Sequence, residues 1–204
     1  MLGATGGTGL EIVRQASEAG HVVTAFVRSP EKLDGFRDRI SVKQGNLLNR
    51  VELADAIKDH DAILSAFGPR VPVSEADRNL LRQFATELTA AMAAANVRRV
   101  ILESSAFLFR DAILPPTYVL GRLLFPGVLA DATAMEAVMT GSRCDWTLVR
   151  PPRLTYGPHT RKYRVRESHL PVFGFSISRA NVADCFLRLL ADPTSLRKII
   201  GVSQ

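Results

Sequence analysis

The chain has 204 residues, of which 47% are hydrophobic and 23% are charged, and this composition predicts one globular domain with a substantial core. No stretch supplies the roughly 20 uninterrupted apolar residues of a transmembrane helix, because three prolines and an arginine interrupt ILPPTYVLGRLLFPGVLA. The formal net charge is +6, but the 26 basic residues are scattered along the chain. We therefore expect no membrane or nucleic-acid partner, and the charge suits small anionic ligands.

The predicted elements alternate between helix and strand. Helices are predicted over residues 8–19, 51–59, 74–95 and 131–141 and from Arg179 onward, and strands over residues 21–27, 41–44, 61–67, 98–104, 146–150 and 197–202. Apolar, β-branched runs such as HVVTAFV are typical of strands buried in a parallel sheet. The alternation therefore predicts an α/β fold of the Rossmann-like, doubly wound type, with helices on both faces of a parallel sheet, in a single domain.

Residues 107–130 and 153–175 lack this periodicity. In the first segment prolines, aromatics and leucines replace it, and an insertion after the carboxyl end of a strand borders the ligand crevice of an open α/β sheet. We expect both segments to be irregular and to lie on the substrate side. An irregular hydrophobic cover over the sheet is the alternative for the first.

The two cysteines, Cys144 and Cys185, are isolated and form no CxxC pattern. This spacing predicts reduced thiols, with Cys185 in the core, and neither a disulfide nor a metal site. The N-terminus carries no basic region followed by an apolar segment and a cleavage site, so we expect a cytoplasmic protein.

The stretch GATGGTG, residues 3–9, places glycines at three-residue intervals before the first predicted helix. A glycine-rich turn lets the backbone approach a pyrophosphate, whose charge the free N–H groups and the dipole of the helix favour. The hydroxyls of Thr5 and Thr8 add donors. The spacing differs from the commoner GxGxxG, but its place in a βαβ series predicts a dinucleotide-binding turn.

Only Met1 and Leu2 precede Gly3, whereas a strand of about five residues is expected to lead into such a turn. In a doubly wound sheet this leading strand is central. We therefore expect that the first strand is truncated or that the start is misassigned.

The end of the second predicted strand reads AFVRSPEKL. An acidic residue at this place binds the ribose hydroxyls of NAD, whereas an arginine accommodates the 2′-phosphate of NADP. Arg28 occupies the place with no acid beside it, and Lys32 follows one turn later. The sequence therefore favours NADP(H) over NAD(H).

Several motifs occur together in one order: GATGGTG, QGNLL, SSAFL, WTLVRPP and SRANVAD. By these motifs, which cover nearly the whole chain, it resembles the atypical short-chain dehydrogenase/reductases of the NAD(P)-binding, NmrA-like type. Within that group it most resembles the biliverdin-IXβ reductase/flavin reductase branch, which has SAFL at the corresponding place and a Pro-Pro pair after the sixth strand.

The resemblance implies a cofactor site along the carboxyl ends of the strands. The implied cofactor-binding residues are Gly3, Thr5, Gly6, Gly7, Thr8, Arg28, Lys32, Asn46, Leu47, Phe67, Gly68, Ser104, Ser105, Pro151, Pro152 and Leu154. Asn46 stands where the family usually has aspartate, a change that keeps a hydrogen-bonding side chain and removes its charge. Packing in the core is the alternative for Phe67, Pro151 and Leu154.

The Tyr-x-x-x-Lys pair that most classical members use for proton transfer is absent from the sequence. Tyr118 with Arg122 is the nearest approach, but an arginine is a poor proton relay. Ser105 is therefore the first choice for an active-site hydrogen-bond donor, ahead of Tyr118; the alternative is a serine that satisfies the backbone at the end of the strand. An acceptor that takes hydride at a conjugated centre and is protonated by solvent needs no such pair.

For the substrate, Phe107 and Phe109 are predicted to stack on a flat acceptor, with core packing as the alternative. Arg153, where the reductase branch has histidine, is predicted to meet an anionic group or to point to solvent. No spacing indicates a metal. The sequence thus favours an NADP(H)-dependent oxidoreductase whose small-molecule acceptor is a flavin, quinone or tetrapyrrole; the alternative is a non-catalytic NADP-binding redox sensor that acts through a protein partner.

Overall fold

A computed structural model describes residues 1–69, 79–109 and 126–204 of the protein. Its helices are α1 (Gly7–Glu18), α2 (Arg50–Ile57), α3 (Leu80–Ala95), α4 (Pro126–Thr140) and α5 (Arg179–Ala191). Its strands are β1 (Thr24–Val27), β2 (Ser41–Gln44), β3 (Ala62–Ser65), β4 (Arg99–Glu103), β5 (Asp145–Arg150), β6 (Arg153–Thr155), β7 (Arg164–Glu167), β8 (Ser176–Ser178) and β9 (Lys198–Ser203). Short 3-10 helices cover Pro30–Phe36, Ala106–Leu108 and Pro193–Ser195.

The main sheet is parallel except at one edge. β1 pairs with β2, and β3, β4, β5, β9 and β7 follow one another in that order, with β7 antiparallel to β9. Leu2 connects the two parts through parallel bridges to Phe26 of β1 and Ser65 of β3. Met1 and Leu2 therefore lie in the central place expected for a leading strand.

Helices cover both faces of this sheet. On one face, α2, α3 and α4 bury Leu53, Phe84 and Met135 in the same core cluster as Leu102 of β4. On the other, α1 and α5 pack on the cluster that contains Ile101. Consecutive residues of β4 thus enter opposite cores, which explains why buried parallel strands are apolar without alternation. The predicted doubly wound, single-domain fold is confirmed.

The predicted helices differ from the observed ones mainly at their starts. The helix predicted over residues 74–95 begins at Leu80, because Asn79 has left-handed backbone dihedral angles (φ 62°); residues 74–78 lie outside the described ranges. The prediction of a helix over residues 131–141 was wrong at its start, since α4 begins at Pro126.

The segment 153–175 was predicted to be irregular. This prediction is wrong for part of the segment, which contains β6 and β7. β6 forms a small two-stranded sheet with β8. All four side chains of β7, in the sequence RVRE, are exposed, so this strand lacks the alternation that marks a half-buried one. Of the segment 107–130, residues 110–125 lie outside the described ranges.

Cys144 and Cys185 are both free thiols, and Cys185 lies in the core as predicted; Cys144 is buried as well. Within the described ranges, no helix is long and apolar enough to cross a membrane. The same residues contain no cluster of three histidine, cysteine or acidic side chains that could hold a metal ion.

Candidate functional site

The glycine-rich turn lies against the end of β3. Gly3 has a φ of 71°, and a Cβ atom there would lie 2.7 Å from the backbone of Ala66 and Phe67. A Cβ atom on Gly9 would lie 2.1 Å from the carbonyl oxygen of Gly3. Both positions therefore require glycine, which lets the start of α1 pack closely on the turn and the sheet.

The first turn of α1 presents free amide groups. Its N-cap residue, Gly6, is exposed and provides no side-chain cap. Among the described residues, the N–H groups of Gly7, Thr8 and Gly9 have no hydrogen-bond acceptor. Unpaired N–H groups at a helix start, together with the helix dipole, make a binding place for a phosphate group.

A carboxyl group lies unexpectedly close to this turn. Glu103, the last residue of β4, accepts a hydrogen bond of 3.4 Å from the hydroxyl of buried Thr8. Burial raises the pKa of Glu103 to about 7, against the opposing effects of this hydrogen bond and of the charge on Arg179. The Thr8 hydroxyl is thus turned toward Glu103, and Thr8 faces the open turn through its N–H group only.

Replacing Glu103 by glutamine should remove the decrease in stability that the ionisation of Glu103 causes as the pH rises. Because the folded-state pKa of about 7 lies above the ordinary value of 4.5, the folded chain holds the proton more tightly, and stability falls as pH rises through this window. The free energies of unfolding of the natural protein and Glu103→Gln, measured in urea from pH 5 to pH 8, should diverge in favour of the variant. Parallel curves would contradict a raised pKa of Glu103 in the folded protein.

Two cations follow β1, where the second predicted strand ends. Arg28 and Lys32 are both exposed. The side chain of neither residue has a salt-bridge partner in the described part of the chain. The main-chain carbonyl of Arg28 accepts a hydrogen bond of 3.2 Å from the side chain of Gln44, which ties the base of the loop to β2. The Arg28 guanidinium therefore remains available to an external anion.

Asn46 and Leu47, two of the implied cofactor-binding residues, lie beyond β2. Asn46 closes its own turn, since its side-chain oxygen accepts from the N–H of Leu48 at 3.0 Å and its N–H donates to Glu52 at 2.8 Å. The exposed side chain of Asn46 can therefore offer its Nδ2 group to a ligand. Leu47 is half-buried on the core that faces α2.

For Phe67, at the end of β3, the structure favours the core-packing alternative. Its half-buried ring packs against the core, with its centroid 4.7 Å from that of the fully buried Phe84, and its backbone lines the turn opposite Gly3. Gly68 is exposed and has no heavy atom within 4 Å of a Cβ position, which leaves its backbone open to a ligand.

Ser104 belongs to a buried polar group between β4, β5 and α4. Its hydroxyl donates to Oε1 of Glu136 at 2.6 Å, and Nε of Arg150 donates to the same oxygen at 2.9 Å. A second guanidinium nitrogen of Arg150 pairs with Oε2 of Glu136. Glu136 and Arg150 are only 7% and 9% exposed. The carboxylate thus fixes Ser104 and is itself neutralised by Arg150.

Comparison with known proteins identifies the family to which this chain belongs. Residues 3–193 match the family described as NAD(P)H-binding, and the match spans the glycine turn and helices α1 to α5 of the described residues. The chain belongs to the NAD(P)H-binding family. The sequence predicted membership of an NAD(P)-binding family, and this part of the prediction is confirmed.

Solved structures share the whole fold of this NAD(P)H-binding protein. One is a Rossmann-fold NAD(P)-binding family protein from Shigella flexneri, with 22% identity and a TM-score of 0.78 over 100% of this chain and 91% of that one. Another is a short-chain dehydrogenase/reductase from Veillonella parvula in complex with NADP, with 21% identity and a TM-score of 0.79 over 100% and 92%. A third is an anaerobillin reductase from Escherichia coli O157:H7, with 20% identity and a TM-score of 0.80 over 99% and 94%.

The residues present fit a dinucleotide. The open N–H groups of α1, the close packing that only glycine permits, and the free Arg28 side chain all lie along one edge, where β1, β3 and β4 end. Thr5, half-buried in the turn, completes the set of residues that would hold the pyrophosphate. When bound, a nicotinamide supplies hydride chemistry that no amino-acid side chain provides.

Ser105 and its neighbours lie beyond the end of β4. The Ser105 hydroxyl oxygen accepts from the N–H of Phe107 at 3.3 Å, so its proton is left for donation to a ligand. Phe107 is 37% exposed. Phe109 is 3% exposed and lies under the guanidinium of Arg150, 4.6 Å from it. This burial argues against the prediction that Phe109 stacks on an acceptor and favours the core-packing alternative.

The Pro-Pro pair continues the same edge from β5. Pro151 is buried, and its carbonyl accepts from the N–H of Ala106 at 3.0 Å, which ties the loop after β5 to the loop after β4. Pro152 and Leu154 are half-buried, and Leu154 packs on the core under α5. Arg153 is exposed. Tyr118 lies outside the described residues.

Several residues of this region escaped the sequence analysis. Glu103, Glu136, Arg150 and Arg179 have partners that are distant in sequence, such as Thr8 for Glu103 and Glu136 for Arg150. One signal was readable for Glu136: an acid in the apolar stretch ATAMEAVM is rarely buried without a partner. For Arg179 the signal was its place in SRANVAD, at the start of α5.

Proposed function

We propose that this protein is an NADP(H)-dependent oxidoreductase that transfers hydride to a flat, conjugated small-molecule acceptor such as a flavin, a quinone or a tetrapyrrole. The observation that carries the proposal is the open phosphate-binding turn of α1 combined with an unpaired arginine at the end of β1. The motif resemblance to the biliverdin-IXβ reductase/flavin reductase branch of NmrA-like proteins supports it.

The preference for NADP(H) rests on Arg28. A guanidinium forms charge-assisted, often bidentate hydrogen bonds with a phosphate, and NAD(H) offers no phosphate at the 2′ position. Lys32 adds a second exposed cation one turn later. The Veillonella parvula structure, which has the same fold, contains NADP.

The acceptor class rests on the groups around Ser104. Both oxygens of Glu136 accept from Arg150, and the hydroxyl of Ser104 donates to Glu136, so neither Glu136 nor Ser104 is placed to give a proton to a substrate. Ser105 remains as a hydrogen-bond donor for the nicotinamide carboxamide or the acceptor. A conjugated acceptor suits such a site, because solvent can protonate it after hydride transfer. The anaerobillin reductase of similar fold supports reductase chemistry.

Two exposed side chains suit the recognition of such an acceptor. The ring of Phe107 follows Ser105 directly and is partly open to solvent, and an aromatic face stacks on a flat, conjugated molecule. Arg153 at the start of β6 offers a positive charge to carboxylate or phosphate groups of the acceptor. We expect the protein to work in the cytoplasm, without a nucleic-acid or membrane partner.

The experiment is a two-substrate assay. Purified protein is first titrated with NADPH and NADH, and oxidation of each is then followed in the presence of FMN, a quinone or biliverdin. Multiple turnovers that need both partners, and that decline in Ser105→Ala, would support the reductase. Binding of NADP(H) without turnover of any acceptor would favour the redox-sensor alternative, and no nucleotide binding would refute both functions.

A further inference from the structure

The side chain of Arg179 fills the space beside Gly7. A Cβ atom on Gly7 would lie 2.7 Å from both Cδ and Nε of Arg179. Gly7 is the first residue of α1, whose free N–H groups form the phosphate-binding turn. Any larger residue at this position would displace the arginine. The glycine and the arginine are therefore complementary in shape, although 172 positions separate them in the sequence.

An exposed tyrosine holds the arginine in this place. The guanidinium carbon of Arg179 lies 4.2 Å from the centre of the Tyr156 ring, within the distance of a cation–π contact. Tyr156 is 87% exposed, so burial in the core does not account for its position. Its hydroxyl would lie 3.2 Å from a Cβ atom on Gly7, which places the ring at the same turn.

The guanidinium keeps its hydrogen-bonding capacity. Within the described ranges, its nitrogens form no side-chain hydrogen bond and no salt bridge. The nearby carboxyl is Glu103, whose pKa the charge of Arg179 lowers while burial raises it. Arg179 also stands in the first turn of α5, where the helix dipole disfavours a cation. Neither pairing nor helix stability accounts for an arginine here.

We propose that Arg179, steadied by the ring of Tyr156, binds the pyrophosphate of the dinucleotide from the side opposite the N–H groups of α1. This inference rests on the proposed function, since it requires that a dinucleotide binds at the turn. The glycine turn supplies only partial charges, whereas a pyrophosphate carries two full negative charges at neutral pH. Arg179 supplies a full positive charge at Gly7, and Arg28 is left to read the 2′-phosphate.

The test compares three ligands that differ in their phosphates: NADP⁺, NAD⁺ and adenosine 2′-monophosphate. Arg179→Met should weaken NADP⁺ and NAD⁺ by the same factor, about 10-fold, as expected for a charge-assisted hydrogen bond. It should leave adenosine 2′-monophosphate unchanged, because that ligand has no pyrophosphate. Arg166→Met, which removes an equal charge from exposed β7, is the matched control and should change none of the three. Dissociation constants are measured by titration calorimetry.

Two further variants separate the role of Arg179 from general damage. Tyr156→Leu, at an exposed position, should weaken NADP⁺ and NAD⁺ by about 2- to 5-fold, and it carries the test if Arg179→Met does not fold. Gly7→Ala should displace Arg179 and so weaken dinucleotide binding through the same contact. The double variant Gly7→Ala/Arg179→Met should therefore lose less affinity than the product of the two single-variant factors.

The outcomes distinguish the two proposals. Equal dinucleotide affinities in the natural protein, Arg179→Met and Tyr156→Leu would overturn the role of Arg179 and leave the proposed function intact. A loss that includes adenosine 2′-monophosphate would overturn it as well, because it would reflect charge or folding in general. A natural protein that binds none of the three ligands would refute the proposed function itself, and the inference with it.

Discussion

Replacing Glu136 by leucine should lower the free energy of unfolding by about 3–5 kcal/mol, the cost of leaving one partner of a buried ion pair alone. The side chain of Glu136 accepts from Ser104 and from two nitrogens of Arg150. Its removal leaves the buried guanidinium of Arg150 without its carboxylate partner, against the ring of Phe109. Urea denaturation at neutral pH measures the change.

The matched comparison is the double variant Glu136→Leu/Arg150→Met. An apolar pair of similar volume often replaces a buried ion pair with little loss, so the double variant should recover most of the stability that Glu136→Leu loses. A double variant as unstable as the sum of the single variants would show that the two side chains act independently. If Glu136→Leu lowered the free energy of unfolding by less than about 1 kcal/mol, the pair would behave as a solvent-exposed ion pair, which contradicts the buried arrangement.

Replacing Arg28 by alanine should weaken NADPH binding by about 10- to 100-fold and change NADH binding little, because only NADPH loses a charge-assisted phosphate contact. The guanidinium of Arg28 has no salt-bridge partner in the described residues, so the fold should tolerate the change. Fluorescence titration of both reduced nucleotides measures the ratio of affinities.

Two neighbouring variants complete this experiment. Arg39→Ala removes an equal charge from an exposed residue that follows the 3-10 helix after β1 and should leave the ratio unchanged. Lys32→Ala decides whether Lys32 shares the phosphate or is an ordinary exposed lysine. Equal affinities of the natural protein for NADPH and NADH would contradict the assignment of Arg28.

Sequence reasoning succeeded where local signals decide the structure. The glycine spacing of residues 3–9 located the turn, because steric exclusion at Gly3 and Gly9 acts through neighbouring backbone. The apolar runs located the buried strands, and β2 has the predicted bounds. Boundaries failed where one backbone conformation decides them, as at Asn79 before α3.

The rest of the site depends on contacts between distant parts of the chain. Thr8 and Glu103, which meet at the turn, are 95 positions apart, and no local pattern links them. Glu136 and Arg150 lie on a helix and a strand whose relative placement only the tertiary fold sets. Phe109 looked like a stacking residue because its sequence context does not reveal that Arg150 covers it.

The antiparallel strand β7 has a consequence for how copies of this protein meet. It closes the sheet on one side, and in the described part of the chain its only partner is β9, so its outer main-chain groups are open to another strand. Arg164 and Arg166 stand two residues apart on it, and both are exposed. A second copy that approached this edge would bring the same charges together, and such repulsion protects natural sheets from edge-to-edge aggregation. The basic strand thus helps to keep the sheet from extending into a neighbouring molecule.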